Sequence, residues 1–368
     1  MRFSSLRINN FRNISSASVD ADSEDIVLTG INGQGKTNLL EAVYMLCYGS
    51  SFRTPYIKEC VKHSEQGFLI SGEFINDYGE KEIVKVSFND GKRRIFINEK
   101  EIKDRKELIY SFPCIVFCHE DIEFIKGEPE NRRRFFDQMM TLYSPIFFDN
   151  LRSYKSILAQ RNAAIKNSSY ELIGLYNERL AYYGMEIMSE RAAVVYEFNK
   201  IFSEGFKKVS GSNLELFVDY QPSWKDHGSI EEIVSYLEDT VERDIKMSTT
   251  TSGIHRDRFI VQSPNGPFSS IGSTGQLRLC SILFRLSESI YFTEKTGKKP
   301  IILIDDVLLE LDHGKRARLL SYLDDYSQSF YTFLPFEIYS DRMDNALYYT
   351  VEEGKFILDE KNKNQDTV

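Results

Sequence analysis

The chemistry written most plainly in this chain lies in Gly30-Ile31-Asn32-Gly33-Gln34-Gly35-Lys36-Thr37, where four residues separate two glycines that Lys and Thr then follow. Glycines let successive backbone N–H groups curl around phosphate oxygens with no Cβ in the way. The Lys36 ammonium suits the β- and γ-phosphates, and the Thr37 hydroxyl suits Mg²⁺. Gly30, Asn32, Gly33, Gln34, Gly35, Lys36, Thr37 and Asn38 are therefore the candidate contacts for a nucleoside triphosphate. A second piece is Ile301-Ile302-Leu303-Ile304-Asp305-Asp306, four apolar residues ending in paired carboxylates. On a buried strand beside the loop, Asp305 would hold Mg²⁺ and its waters. Asp306 would polarise an attacking water, which makes Asp306 and Lys36 the candidate catalytic residues.

A third piece, Gly272-Ser273-Thr274-Gly275-Gln276, precedes a helical pattern carried by Leu279, Ile282, Leu283, Leu286 and Ile290. A serine and a glycine at the mouth of a helix make another anion seat. One nucleotide needs one phosphate loop, so a second seat on the same chain is redundant unless each completes the site of another subunit. Ser273, Gly275 and Gln276 are thus assigned to a partner's nucleotide, and a nucleotide-dependent homodimer is expected.

The elements that must hold these groups are legible around them. Ile26-Val27-Leu28 is a short apolar run of buried-strand type. Beyond the loop, Leu39, Val43 and Leu46 recur at helical spacing up to Gly49, a C-terminal cap. A strand feeding a glycine loop that opens a helix aims the helix N-terminus, with its partial positive charge, at the anion. Phe3, Leu6, Ile8 and Phe11 predict one or two strands before the loop. Phe68–Phe74, Glu82–Phe88 and Arg93–Asn98 read as an antiparallel meander divided by Asn76-Asp77-Tyr78-Gly79 and Asn89-Asp90-Gly91. Cys114–Cys118 is one more buried strand. From about Asn131 to Lys208 the pattern turns helical, Leu214–Tyr220 alternates like a strand, and Ser229-x-x-Glu232 is a capping box. The helix it opens would carry Ile230, Ile233, Val234, Leu237, Val241 and Ile245 on one apolar face. Residues 361–368 are polar and read as a frayed end. The fold class is α/β, a mixed sheet around the loop helix plus an antiparallel meander. A mainly helical lobe, 126–245, is inserted between 1–125 and 246–368 and is expected to contact the second copy and nucleic acid.

With 368 residues, 42% hydrophobic and 27% charged, the composition is that of an ordinary globular protein with room for two domains. No apolar run approaches the roughly 20 residues of a membrane helix. The start of the chain lacks the apolar core of a secretory signal, and five scattered cysteines suit a reducing compartment, so a cytoplasmic protein with no membrane partner is expected. Cys114 and Cys118 followed by His119 lack the second ligand pair of a zinc site and fit better as small apolar residues in a strand. A net charge of −9 leaves room for a local basic groove, because the field at a site depends on arrangement.

Read together and in order, the motifs resemble the ATP-binding-cassette ATPases of the SMC class, and within it the RecF family. The matching residues include Leu6-Arg7-Ile8-Asn9-Asn10-Phe11-Arg12-Asn13, the loop at 30–37, Gly49-Ser50-Ser51-Phe52-Arg53, Glu120-Asp121 and Lys126-Gly127. Asn131-Arg132-Arg133-Arg134-Phe135-Phe136-Asp137, Gly253-Ile254-His255-Arg256-Asp257, the signature Ser273-Thr274-Gly275-Gln276, Asp305-Asp306-Val307 and the D-loop Glu310-Leu311-Asp312 follow. Roughly 240 residues separate Lys36 from Ser273, too few for the heptad arms of an SMC protein and more than a transporter subunit uses. A transporter ATPase subunit remains the alternative reading.

The resemblance implies an ATP- and Mg²⁺-dependent DNA clamp of recombinational repair that dimerises on ATP at single-strand/duplex junctions. It implies help, with RecR and RecO, in loading RecA at gaps, and a weak DNA-stimulated ATPase that serves binding and release. It also places Arg12 and Asn13 toward the base or ribose. Thr274 in the signature, Leu309 in the D-loop and Leu334-Pro335-Phe336-Glu337 after the strand at Ser329–Thr332 depart from the family pattern and imply slower or differently gated hydrolysis.

His255-Arg256-Asp257 is not a kinase catalytic loop, since Gln262 stands where that loop needs Asn. Arg132, Arg133 and Arg134 have two readings: a solvated face paired with Glu128 and Glu130, or phosphate contacts. Residues 131–166 carry seven basic and two acidic side chains in an acidic protein, which favours phosphate and extends the candidate nucleic-acid set to Arg152 and Lys155. Lys92-Arg93-Arg94 and Lys103, Arg105 and Lys106 form further positive strips. Tyr143 and Tyr154 could stack on bases, though core packing suits them better.

Overall fold

The computed structural model describes residues 1–76, 78–323, 325–335 and 345–359. Phe336 and Glu337 of the unusual segment and the polar end at 361–368 lie outside the described residues. The chain divides into two compact units, Met1–His119 with Phe292–Val368, and Glu120–Tyr291.

The first unit holds two six-stranded sheets. One has the spatial order Lys355–Leu358, Leu347–Glu352, Asp25–Thr29, Gln328–Phe333, Ile301–Ile304, Cys114–Phe117, all parallel except the terminal Lys355–Leu358 hairpin. Ile301–Ile304 and Cys114–Phe117 are buried at every position, as continuous apolar runs in parallel sheets are, and so is Gln328–Phe333 although it carries Gln328, Ser329 and Thr332. The other sheet is antiparallel, ordered Ile14–Asp20, Arg2–Phe11, Phe68–Ile75, Lys81–Asn89, Lys92–Ile97, Lys100–Glu101. Its strands alternate buried and exposed, so one face is apolar. The helix Lys36–Tyr48 is buried on nearly all sides by a core that includes Phe3, Leu6, Ile70 and Val84 of this sheet and Ile26, Leu303 and Phe330 of the other. Gly72 permits that packing, because a Cβ there would sit 2.6 Å from the Phe3 ring and 2.8 Å from Leu46. The helix ends at Gly49, left-handed at φ 63°, whose N–H donates to Met45.

The second unit contains the helices Pro129–Thr141, Pro145–Lys166 and Ile173–Ser210, the last 38 residues long. It also holds a small antiparallel sheet ordered Gly266–Pro267, Arg258–Ser263, Phe217–Gln221. Its core is aromatic: Phe136 stacks on Phe259 at 4.4 Å between centroids, and Phe284 packs on Phe135 and Phe202. These contacts show why the division falls after His119 and after Tyr291, not at 125 and 245. Arg258–Ser263 pairs with Phe217–Gln221, and Phe259 and Phe284 fill the helical core, so 246–291 packs with the helices. The helical pattern from Ser229 to Ile245 is two helices, Ile230–Asp239 and Val241–Met247, broken at Thr240, whose hydroxyl donates to the Tyr236 carbonyl at 2.8 Å.

Candidate nucleotide site

In the first unit the chain leaves the strand Asp25–Thr29, turns through residues 30–35 and enters the helix at Lys36. Gly33 and Gly35 take φ +82° and +117°, backbone that a side chain would strain. A Cβ on Gly35 would also meet Asn13 Oδ1 at 2.8 Å. No side chain caps the helix start, which leaves its first N–H groups turned to the loop, the arrangement that receives an anion. Lys36 is only 4% exposed and lies folded over the loop, with Nζ 2.7 Å from the Gly30 carbonyl and 4.0 Å from Asp306 Oδ2.

The carboxylates arrive at the end of Ile301–Ile304, which is separated from Asp25–Thr29 in the sheet by Gln328–Phe333. Thr37 Oγ1 donates to Asp305 Oδ1 at 2.8 Å. Burial raises the Asp305 carboxyl to about 6, with the hydrogen bond from Thr37 acting the other way and the charge of Asp306 adding to the rise. Asp306 has φ +54°; its N–H donates to Thr332 Oγ1, and that hydroxyl donates back to Asp306 Oδ1, both at 2.8 Å. A hydroxyl and a carboxylate side by side are hard oxygen donors of the kind Mg²⁺ takes. The cavity, about 360 Å³, is lined by Asn32, Gly33, Gly35, Lys36, Thr37, Asn38, Arg53 and Asp306. Two glycines and one lysine at its wall fit a polyphosphate, and Thr37 with Asp305 fits a divalent cation beside it.

Asn13 belongs to this site. Its amide donates to the Gln34 carbonyl at 3.0 Å and its Oδ1 accepts from Asn38 at 2.8 Å. Arg12 faces the other way: Nε and Nη2 reach the buried Glu41 at 2.8 and 2.6 Å, and Nη1 the Glu59 carbonyl. Gln34 is pinned from behind, its Oε1 accepting from Glu353 N–H and its carbonyl from Gly354 N–H. Three contributors were not singled out by residue type and spacing. Thr332 holds Asp306, Arg53 reaches the cavity while donating to Asn38 and Glu41, and Glu41 gathers Arg12, Arg53 and Ser51. Arg53 was visible only inside the Gly49–Arg53 match, and Glu41 only as a carboxylate on an otherwise apolar helix.

Ser273, Gly275 and Gln276 belong to the second unit. Ser273 N–H donates to Gln276 Oε1 and Gln276 N–H to Ser273 Oγ, a reciprocal cap on the 23-residue helix Thr274–Thr296. All three residues are exposed, and nothing lies within 4 Å of a Cβ placed on Gly275. In the D-loop of the first unit, Asp312 caps the helix His313–Tyr322, and Glu310 accepts from His119 Nδ1 at 2.8 Å.

The basic cluster of the second unit resolves into two kinds of arginine. Arg132 donates to the Ile125 and Gly127 carbonyls and Arg133 to the Asp257 carbonyl, both half-buried, with burial lowering each guanidinium. Arg134, Arg152 and Lys155 are exposed around a cavity that Arg133 and Arg256 also line. Tyr154 is 1% exposed and hydrogen-bonded to His255, and Tyr143 packs on Tyr291, so both are packing residues, not stacking platforms. Asp257 is a buried anchor, accepting from Arg191 at 2.7 Å, Tyr220 at 2.6 Å and the Ser223 N–H at 2.8 Å. Cys114 is buried in its strand. Among the described residues, no helix is long and apolar enough to cross a membrane.

Comparison with known proteins gives the chain its family. The family model described as the RecF/RecN/SMC N terminal domain matches residues 2–353. A DNA replication and repair protein RecF from Treponema pallidum (strain Nichols) is 37% identical over 348 residues, 94% of this chain and 98% of the relative. One from Leptospira interrogans serovar Lai is 30% identical over 359 residues, 95% and 97% of the two chains. Among solved structures, a recombination mediator protein RecF with ATP superposes with a TM-score of 0.88 at 28% identity, covering 97% of each chain. An Smc head domain from Pyrococcus furiosus superposes at 0.55 with 15% identity over 98% of this chain and 96% of the other, a likeness of fold. The strand–loop–helix phosphate seat, the paired aspartates and the separate serine–glycine seat therefore stand on a chain that belongs to the RecF family of the SMC-like ATP-binding-cassette class.

Proposed function

We propose that this protein is an ATP-controlled DNA-binding clamp of DNA replication and recombinational repair. The observation that carries the reading is the pair of half-sites: a complete phosphate loop with Thr37, Asp305 and Asp306 in one unit, and an exposed Ser273–Gln276 seat in the other. Two copies would then share two nucleotides, each between the loop of one chain and the signature of the next. The loop N–H groups and Lys36 hold the phosphates, Thr37 and Asp305 hold Mg²⁺, and Asn13 fixes the loop that they line. Asp306, oriented by Thr332, holds the attacking water. The bound Mg²⁺ supplies charge neutralisation for the phosphoryl group. Ser273 and Gly275 of the second copy complete the seat.

Nucleotide at about a hundredfold over its dissociation constant favours the state that binds it by roughly 2.7 kcal/mol per site. Two sites give about 5 kcal/mol, close to what moves an equilibrium from 1:99 to 99:1. Closure under ATP is thus large enough to be a switch, and slow hydrolysis resets it. Support for the biological setting comes from the relatives named for DNA replication and repair and from the ATP-bound mediator of the RecFOR pathway. RecR and RecO are the partners that this likeness proposes, at single-strand/duplex junctions of gaps, with loading of RecA as the outcome. Arg134, Arg152 and Lys155 are the proposed phosphate contacts, while the hydrogen bonds of Arg132 and Arg133 go to carbonyls.

Fluorescence anisotropy of labelled gapped DNA tests the reading. With a non-hydrolysable ATP analogue the affinity should rise at least about tenfold, a gain that Lys36→Arg removes and added salt erodes. Equal, weak binding with and without nucleotide would overturn the reading; the transporter alternative is not favoured by the likeness to RecF proteins along nearly the whole chain.

A further inference from the structure

Two concavities of the second unit meet at Arg152. The first, about 720 Å³, has six cationic side chains and two carboxylates in its lining. One carboxylate, Asp137, is already held by Arg191 Nε and Nη2 at 3.1 and 2.7 Å, and Arg191 is itself fully engaged by Asp137, Asp257 and the Ile254 carbonyl. That leaves Arg133 half-buried in the wall and Arg134, Arg152, Lys155 and Arg256 exposed around it, against the single remaining carboxylate of Glu130. Arg152 has Asp149 at 3.1 Å, an exposed pair that water screens. The second concavity, about 670 Å³, lies between the helices Pro145–Lys166 and Ile173–Ser210 and is lined by Arg152, Gln160, Arg179, Tyr182 and Tyr183, with one carboxylate, Glu178. Tyr182 is 52% exposed, and its ring meets Tyr183 edge-on at 5.2 Å.

A continuous backbone of phosphodiesters is best served by a track of evenly spaced cations. Several guanidinium groups around one concavity, as Arg133, Arg134 and Arg256 are here, suit a phosphate with two charges and three free oxygens, which is a terminal phosphate monoester. An exposed tyrosine in the adjoining groove, Tyr182 backed by the half-buried Tyr183, is a platform on which unpaired bases stack with little regard to sequence. We propose that the second unit binds the phosphorylated end of a nucleic-acid single strand. The terminal phosphate sits between Arg134 and Arg256, with Arg133, held through Nη1 by the Asp257 carbonyl, adding its charge from the wall, and the first bases pass Arg152 onto Tyr182. This rests on the DNA-binding reading above and assigns it a chemical polarity: the protein reads strand ends.

The test varies the ligand first, so it needs no variant that might fail to fold. Full-length protein is titrated with a short single-stranded oligonucleotide bearing a phosphate at the 5′ end, at the 3′ end, or hydroxyls at both. One phosphorylated form should bind about tenfold tighter than the hydroxyl form. Arg134→Ala with Arg256→Ala should bring that ratio to one, and Tyr182→Ala should weaken every form by at least about fivefold. A nucleoside monophosphate competing as well as the phosphorylated strand would show that the pocket takes a free nucleotide, and the strand-end assignment falls. Equal affinity for phosphate and hydroxyl ends overturns the proposal while leaving the DNA-clamp reading standing. No binding of any oligonucleotide or gapped duplex, with or without ATP, removes that reading as well.

Discussion

Removing the carboxylate of Glu41 should weaken both the first unit and its hold on nucleotide. The side chain is fully buried on the Lys36–Tyr48 helix and accepts from Arg12 at 2.8 and 2.6 Å, from Arg53 at 3.3 Å, and from Ser51. In Glu41→Ala the Arg12 side chain, 19% exposed, loses its counter-charge. Breaking a buried ion pair from one side costs about 3–5 kcal/mol. Arg53, 39% exposed, can turn to water and adds little. Arg12 also anchors the strand end that carries Asn13, whose amide holds the Gln34 carbonyl and whose side chain stands against Gly35. Loss of one such hydrogen bond is worth about 1 kcal/mol, or roughly a fivefold loss of ATP affinity. Urea unfolding of the full chain reads the first effect. Because the two units can unfold separately, the transition to follow is the one that ATP moves. Arg12→Met with Glu41→Leu should recover most of the stability, since both charges leave together. A Glu41→Ala transition within about 1 kcal/mol of the parent, or a double variant no better than the single, refutes the reasoning.

Burial lowers the His255 imidazole from its ordinary 6.5 to about 4. The unfolded chain therefore binds the proton first, so this stability is present above pH 6.5 and is lost as pH falls toward 4. The loss reaches about 3 kcal/mol, and His255→Asn should flatten that part of the pH profile of urea unfolding. Gly184→Ala should destabilise by about 1–2 kcal/mol, because its Cβ would lie 2.4 Å from the ring of the buried Trp224. On the same helix Gly205→Ala meets nothing within 4 Å and should stabilise by up to about 1 kcal/mol, so thermal melts of the two variants should move in opposite directions. Thr332→Val keeps the volume but leaves Asp306 without its hydroxyl partner. Steady-state hydrolysis should fall about tenfold while the ATP dissociation constant changes by less than about twofold.

Where chemistry and spacing are local, the sequence carried the site. Residues 30–37, the Gly49 cap and the apolar run ending in Asp305 each announce their geometry within a dozen residues, and the bond between Thr37 and Asp305 follows once both are placed. What stayed hidden depends on partners far along the chain. Glu41 reads as a stray charge until Arg12 and Arg53 are folded onto it, and Thr332 reads as one strand residue among six until it lies beside Asp306. The unit boundary was hidden for the same reason, since only the pairing of Arg258–Ser263 with Phe217–Gln221 and the seating of Phe259 and Phe284 assign 246–291 to the helices. Charge counting found the basic region near 131–155 but could not separate Arg132, which serves carbonyls, from Arg134, which faces solvent.

Light scattering on the purified chain, with and without a non-hydrolysable ATP analogue, tests the shared-site account most directly. The account predicts that nucleotide doubles the mass of the parent protein, and that Lys36→Arg and Ser273→Arg each remain at the mass of one chain. A parent protein that stays at one chain with saturating nucleotide, or a Ser273→Arg variant that doubles as the parent does, would contradict it.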